Sequence, residues 1–141
     1  MEIIDQYHSI AGTTIARVFL GFLFLFQGYD AVFRIGLKRA TDVFQEGFVE
    51  QGIPRTLTAA AAFFTSYTAL IGGFLLILGL YEFVALYFLG LNLVVAGIGF
   101  GINLPLWDTR NVFPRLTLVI LLLLVPLEWH AWSLDRLLGF R

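Results

Sequence analysis

Arg17 is the first residue of this chain that could do chemistry. It lies about two turns inside an apolar run from Ile10 to Phe33. A guanidinium in hydrocarbon costs at least about 2.5–3.5 kcal/mol on insertion scales, so it must face other helices and find acceptors there. Tyr67, Asn92 and Glu128 are the partners that the other apolar runs offer. Two roles are open to it. It could clamp helices through carbonyls and a tyrosine, or donate to a polar head group, such as a quinone, held between helices.

A second group surrounds the polar break Asn103 to Arg115, N-L-P-L-W-D-T-R-N-V-F-P-R. Trp107, Asp108, Arg110 and Arg115 stand there between Pro105 and Pro114, with apolar runs on both sides. Gln27, Asp30 and Arg34 are spaced three and four apart and so stack on one helix face. That face ends the first apolar run on the side where the Trp107–Asp108 turn falls. Asp30 is expected opposite Arg110 or Arg115, and Asp108 opposite Arg34 or Arg55. Such a cluster either seals the end of a bundle with interfacial ion pairs or rims a cavity that admits an aromatic head group. In the second case Trp107 would be the stacking wall and Gln27, Asp30, Asp108, Arg110 and Arg115 the polar contacts.

His8 and His130 fall at the other interface, one before the first apolar run and one after the last. With Glu82 and Glu128 they could in principle hold a metal, or a haem between them. No ligand spacing links them and both sit at exposed ends, so neither metal nor haem is expected. The chain has no cysteine, which removes disulfides, thiolate nucleophiles and iron–sulfur ligation together. No serine–histidine–acid arrangement and no phosphate-binding glycine loop occurs. A net charge of −1 offers no basic field to nucleic acid.

These residues are positioned by helices made for a bilayer. Of 141 residues, 59% are hydrophobic and 13% charged, and mean hydropathy is +0.85. A water-soluble domain carries about a quarter charged residues. The expected fold is therefore an all-α integral membrane protein of one domain, residues 1–141, with four transmembrane helices. The spans fall at about 10–33, 57–80, 83–102 and 112–127, and the first, about 36 Å as a helix, is long enough to cross a hydrocarbon core of about 30 Å with some tilt. The acidic start, M-E-I-I-D-Q-Y-H-S-I, lacks the cationic region of a signal peptide, so the first run is expected to remain as a span.

Between spans one and two, Val43, Phe44 and Phe48 recur on one face opposite acids. This reads as an amphipathic interfacial helix over about 42–50, capped by Asp42 and stopped by Gly52-Ile53-Pro54. Span two carries an alanine run, Ala59 to Ala62, and the pair Gly72-Gly73, small residues that let helix backbones approach in lipid. Spans two and three form a tight hairpin at Tyr81-Glu82. Trp129 and Trp132 read as an aromatic belt, and Ser133 as the N-cap of a short amphipathic tail helix. Arg34, Lys38, Arg39, Arg55, Arg110 and Arg115 sit in the long connections, against Arg136 and Arg141 in the tail. The positive-inside rule then places those connections in the cytoplasm of a bacterial inner membrane and both termini outside.

Leu70-Ile-Gly-Gly-Phe-Leu-Leu-Ile-Leu-Gly-Leu80 resembles the G-G-x-L-L-x-x-G-L stretch of DoxX-like membrane proteins. Arg17 and Gly28 of the first span, Gly52-Ile53-Pro54, and the ending Trp132-Ser-Leu-Asp-Arg-Leu-Leu138 match the same family in order along the chain. The resemblance implies a four-helix membrane protein, related to the small subunit of a thiosulfate:quinone oxidoreductase and to subunits of redox-stress complexes. Two positions depart from the family. Ala69 stands where an acid often precedes the glycine pair, and Tyr29-Asp30-Ala31-Val32 where a lysine often follows Gly28.

The expected function is that of an accessory subunit of a quinone-linked membrane redox complex of the respiratory chain. It would have no redox centre or covalent cofactor of its own, quinone would be its one small-molecule contact, and its partners would be lipids and other membrane subunits. Two alternatives stand beside it: a purely structural, lipid-binding subunit, and a small oligomeric transporter. A quinone role requires Arg17 and the Asp108/Arg110 cluster to face one cavity, whereas a structural role requires them fully paired.

Overall fold

The computed structural model describes residues 2–48, 51–103 and 112–140. Among them every regular element is helical. Helix α1 spans Glu2–Tyr29 and runs on through a π-helical turn, Asp30–Arg34, closed by the Ile35 N–H on the Asp30 carbonyl at 2.8 Å. Helix α2 is Leu37–Phe48, α3 Arg55–Leu78, α4 Glu82–Asn103 and α5 Phe113–Leu124. A 3-10 turn, Leu127–His130, and a one-turn helix α6, Leu134–Leu137, finish the chain.

Three described helices are long and apolar enough to cross a membrane: α1 with its π turn, α3 and α4. Helix α5, expected over about 112–127, has 12 residues and so rises only about 18 Å. Its end has a local cause. Pro126 forces Val125 into extended backbone (ψ 148°), and the helix stops. The helix after span one also differs from the expected 42–50. It starts at Leu37, after Gly36 (φ +83°), so Asp42 lies within the helix rather than capping it. Gly52 (φ +68°) makes the turn, and Pro54 leads into α3.

Small residues hold α1 against α3, as close packing in lipid demands. A Cβ on Gly28 would fall 2.3 Å from the Leu70 backbone nitrogen, and one on Gly73 2.5 Å from that of Leu25. The antiparallel crossing sets the register: Gly28 beside Leu70, Gly21 beside Gly73 and Ile77, and Arg17 beside Gly79. Around this contact Leu20, Phe24, Leu76, Leu86, Leu89 and Leu122 are fully buried. Phe19, Phe22, Phe26, Phe63, Phe74 and Phe88 point outward instead, a surface suited to hydrocarbon rather than water. The register also carries the first three turns of α1 past the α3–α4 hairpin. The Leu127–His130 turn packs on α1 there.

Candidate functional site

The site grows from the hairpin between α3 and α4. Helix α3 ends at Gly79 in the left-handed region (φ +69°). The Leu80 N–H donates to the Leu75 carbonyl at 3.0 Å and the Gly79 N–H to that of Leu76 at 3.1 Å, the Schellman pattern that glycine favours. A side chain here would also be blocked, because a Cβ would lie 2.9 Å from Arg17 Nη1 and 2.9 Å from Ser133 Cβ. Tyr81 then takes a positive φ of 46°, rare for a residue with a side chain, and α4 begins at once.

Nothing in Gly79-Leu80-Tyr81 can cap α4 with a side chain. Asp135 does so from the far end of the chain. Its carboxylate accepts the Tyr81 N–H at 2.8 Å and the Glu82 N–H at 3.0 Å. A carboxylate at a helix N-terminus meets both the orphan donors and the positive end of the dipole. The Asp135 N–H returns a bond to the Gly79 carbonyl at 3.0 Å, and the Phe140 ring stacks on Tyr81 at 5.6 Å. Ser133 occupies the N-cap position of α6, but its hydroxyl makes no capping bond.

Glu82, the first residue of α4, is fully buried between two bases. Arg17 Nη1 lies 3.3 Å from its Oε2, and His130 Nδ1 lies 2.5 Å from its Oε1. Arg17 Nη2 donates to the Trp132 carbonyl at 2.6 Å. Arg17 and His130 are themselves 3% and 2% exposed. The partners of Arg17 are thus an acid and a carbonyl, not the expected Tyr67, Asn92 or Glu128. An arginine and a glutamate taken from water each lose several kcal/mol of solvation, and close pairing with further hydrogen bonds is what offsets it. Phe83 lies against the imidazole at a ring distance of 5.3 Å and holds its plane.

His130 has one nitrogen on Glu82 and the other, Nε2, buried without a hydrogen-bond partner among the described residues. The ring lines a half-open cavity of about 300 Å³ together with Leu127, Glu128, Ser133 and Arg136. Glu128 and Arg136 are exposed at its edge, whereas Ser133 is buried. The imidazole thus forms part of the cavity wall, with charged groups at its mouth. The exposed position expected for His130 is corrected by this geometry, while His8 is exposed on α1. Among the described residues no three His, Cys, Asp or Glu gather in a metal-binding group.

The residues expected to share one ligand site are dispersed. Arg17 belongs to the hairpin end. Gln27 accepts a hydrogen bond from Arg115, whose guanidinium lies over the Phe24 ring at 5.5 Å. Asp30 pairs with Arg34 at 3.1 Å, in place of Arg110 or Arg115, and Arg55 pairs with Asp42 at 2.5 Å. Tyr67 is half-buried with its ring against Phe63 at 4.6 Å. Asn92 is buried and donates to the Thr65 carbonyl at 2.7 Å, and its Oδ1 has no hydrogen-bond partner among the described residues. Trp107, Asp108 and Arg110 lie outside the described residues.

Glu82 and His130 stand out in the sequence only as unlinked ligand candidates, and Asp135 not as a site residue at all. A signal for Glu82 does exist. A deep arginine needs an acid, and a short hairpin after a helix antiparallel to α1 brings the next acid back to its level.

Comparison with known proteins adds one positive finding. The family model described as DoxX matches residues 12–101. No curated protein and no solved structure matches the chain. The match takes in Arg17 and Glu82 and ends before His130, Trp132 and Asp135.

Proposed function

Since the chain belongs to the DoxX family and is an integral membrane protein, we propose that it is an accessory subunit of a quinone-linked redox complex. The electron-carrying centres belong to partner subunits, and this chain offers the quinone pool a head-group pocket. One observation carries the reading. The imidazole of His130, fixed by Glu82 on one nitrogen, forms part of the wall of a cavity of head-group size, beside Glu128, Ser133 and Arg136. A cavity of this volume fits the lower end of small-molecule sites. The segment that lines it also carries Trp129 and Trp132, residues that favour a membrane interface. In this reading α5 and the stretch through Leu127 complete a fourth crossing, α2 lies along the membrane surface, and the long connections face the cytoplasm of a bacterial inner membrane.

The purely structural reading has its own support, because both terminal nitrogens of Arg17 are engaged by Glu82 and Trp132, leaving only its Nε without a partner among the described residues. Gentle extraction of the protein from its native membrane, followed by native mass spectrometry, separates the two. The quinone reading expects a defined complex with subunits that carry redox centres, and a quinone-sized mass that disappears in His130→Ala. A defined complex with no such mass leaves the structural subunit. A bare homo-oligomer with lipid alone contradicts both.

A further inference from the structure

We infer that the elbow between α1 and α2 binds the phosphate of an anionic phospholipid, one whose head group carries no cation of its own. The inference uses only the membrane-spanning character of α1 and is independent of the pocket at His130. The elbow's own residues set its level in the bilayer. The apolar run of α1 and its π turn ends at Arg34. Asp30 and Arg34 are costly in hydrocarbon, whereas Phe33 (64% exposed) and Ile35 (51%) turn apolar side chains outward. The Tyr29 ring lies against that of Phe33 at 5.2 Å, and tyrosine favours the membrane interface. A surface that mixes such groups belongs at the boundary, where lipid phosphates lie.

The charges at this boundary do not balance. Gly36 (φ +83°) turns the chain, and α2 starts at Leu37. Its first turn holds Lys38 and Arg39 and no acid. Both side chains are exposed, and among the described residues neither makes an ion pair. The acids nearby are engaged or distant. Asp30 holds Arg34 at 3.1 Å and Asp42 holds Arg55 at 2.5 Å. Glu46 stands about 10 Å farther along α2 than Arg39. A phosphodiester supplies the missing charge: Arg39 offers it a fork of N–H donors, and Lys38 a point charge on a flexible stem. A choline head group brings its own cation and needs neither. Soluble phosphate has the charge but no acyl chains to lie against Phe33 and Ile35, so the occupant is a membrane lipid.

A basic residue beside an anionic bilayer is worth about fivefold in affinity. The purified full chain in detergent is incubated with equal amounts of phosphatidylglycerol and phosphatidylcholine of the same acyl chains, and bound lipid is counted by native mass spectrometry. Phosphatidylglycerol should be retained about twentyfold over phosphatidylcholine. The variant that combines Lys38→Gln with Arg39→Gln should lose most of that preference, whereas Lys38→Arg alone should keep it. Both positions are exposed, so the fold should survive, and far-UV circular dichroism checks this. Adding Asp5→Lys to the double variant restores the lost net charge at the opposite end of α1 and should not restore the preference. Inorganic phosphate should fail to displace the lipid. Equal retention of the two lipids by the native chain, a preference that survives in the double variant, or one that returns with Asp5→Lys overturns the site. Displacement by inorganic phosphate overturns the lipid as its occupant.

Discussion

Arg17 and Arg34 are carried by one continuous helical run, α1 and its π turn, yet their surroundings are opposite. Arg17 is buried, paired to a buried acid and bonded to a carbonyl more than a hundred residues away. Arg34 pairs with Asp30 one turn back, both side chains largely open (72% and 44% exposed). The contrast extends to the neighbours. At the hairpin end, Glu82, His130 and Asp135 come from α4 and the C-terminal segment to meet α1. At the opposite end, the ion pairs Asp30–Arg34 and Asp42–Arg55 are exposed, and the Gln27–Arg115 bond joins α1 to α5 at the surface. Charge at an interface can be satisfied locally and by water. Charge below it must be satisfied by folding.

If the hairpin end is a cooperative network, breaking it should cost far more than breaking anything at the other end. Glu82→Ala leaves Arg17 buried without its acid, so it should destabilise by about 3–5 kcal/mol. Thermal unfolding in mild detergent should show a large drop in Tm or no folded protein. Gly28→Ala probes the contact between the two ends. The new Cβ meets the Leu70 backbone, which cannot swing aside as a side chain can, so a loss of about 1–3 kcal/mol is expected in the same assay. Asp135→Ala uncaps α4 and releases the tail. About 1–2 kcal/mol should be lost, with faster proteolysis confined to residues after Leu127. Asp30→Ala should cost no more than about 0.5 kcal/mol, because Arg34 remains hydrated. A Glu82→Ala effect as small as that of Asp30→Ala would erase the contrast.

The sequence disclosed most of the scaffold and little of the site, and particular residues show why. Span boundaries follow from hydropathy, so α3 and α4 begin and end within about two residues of expectation. The glycine pair Gly72-Gly73 marks a close helix contact for the same local reason. Helix α5 was expected to be longer because Val125 and Leu127 are apolar, but Pro126 overrules their hydropathy. The site is another matter. Glu82 looks like a polar turn residue, and only the antiparallel register of α1 and α3 places it beside Arg17. His130 looks exposed because it follows an apolar run among polar neighbours. The tail's return to α1 is what buries it. Asp135 caps a helix that begins over fifty residues earlier in the chain, a partnership that no local pattern encodes.

The proposed head-group pocket lies at the hairpin end, around His130. Photolabelling with an azido-benzoquinone in native membranes, followed by peptide mapping, tests it most directly. Label on the segment from Leu127 to Arg136, lost in His130→Phe, is the predicted result. Label near Gln27, Arg34 or Arg115, unaffected by that substitution, would place the ligand at the opposite end and rule out the His130 pocket.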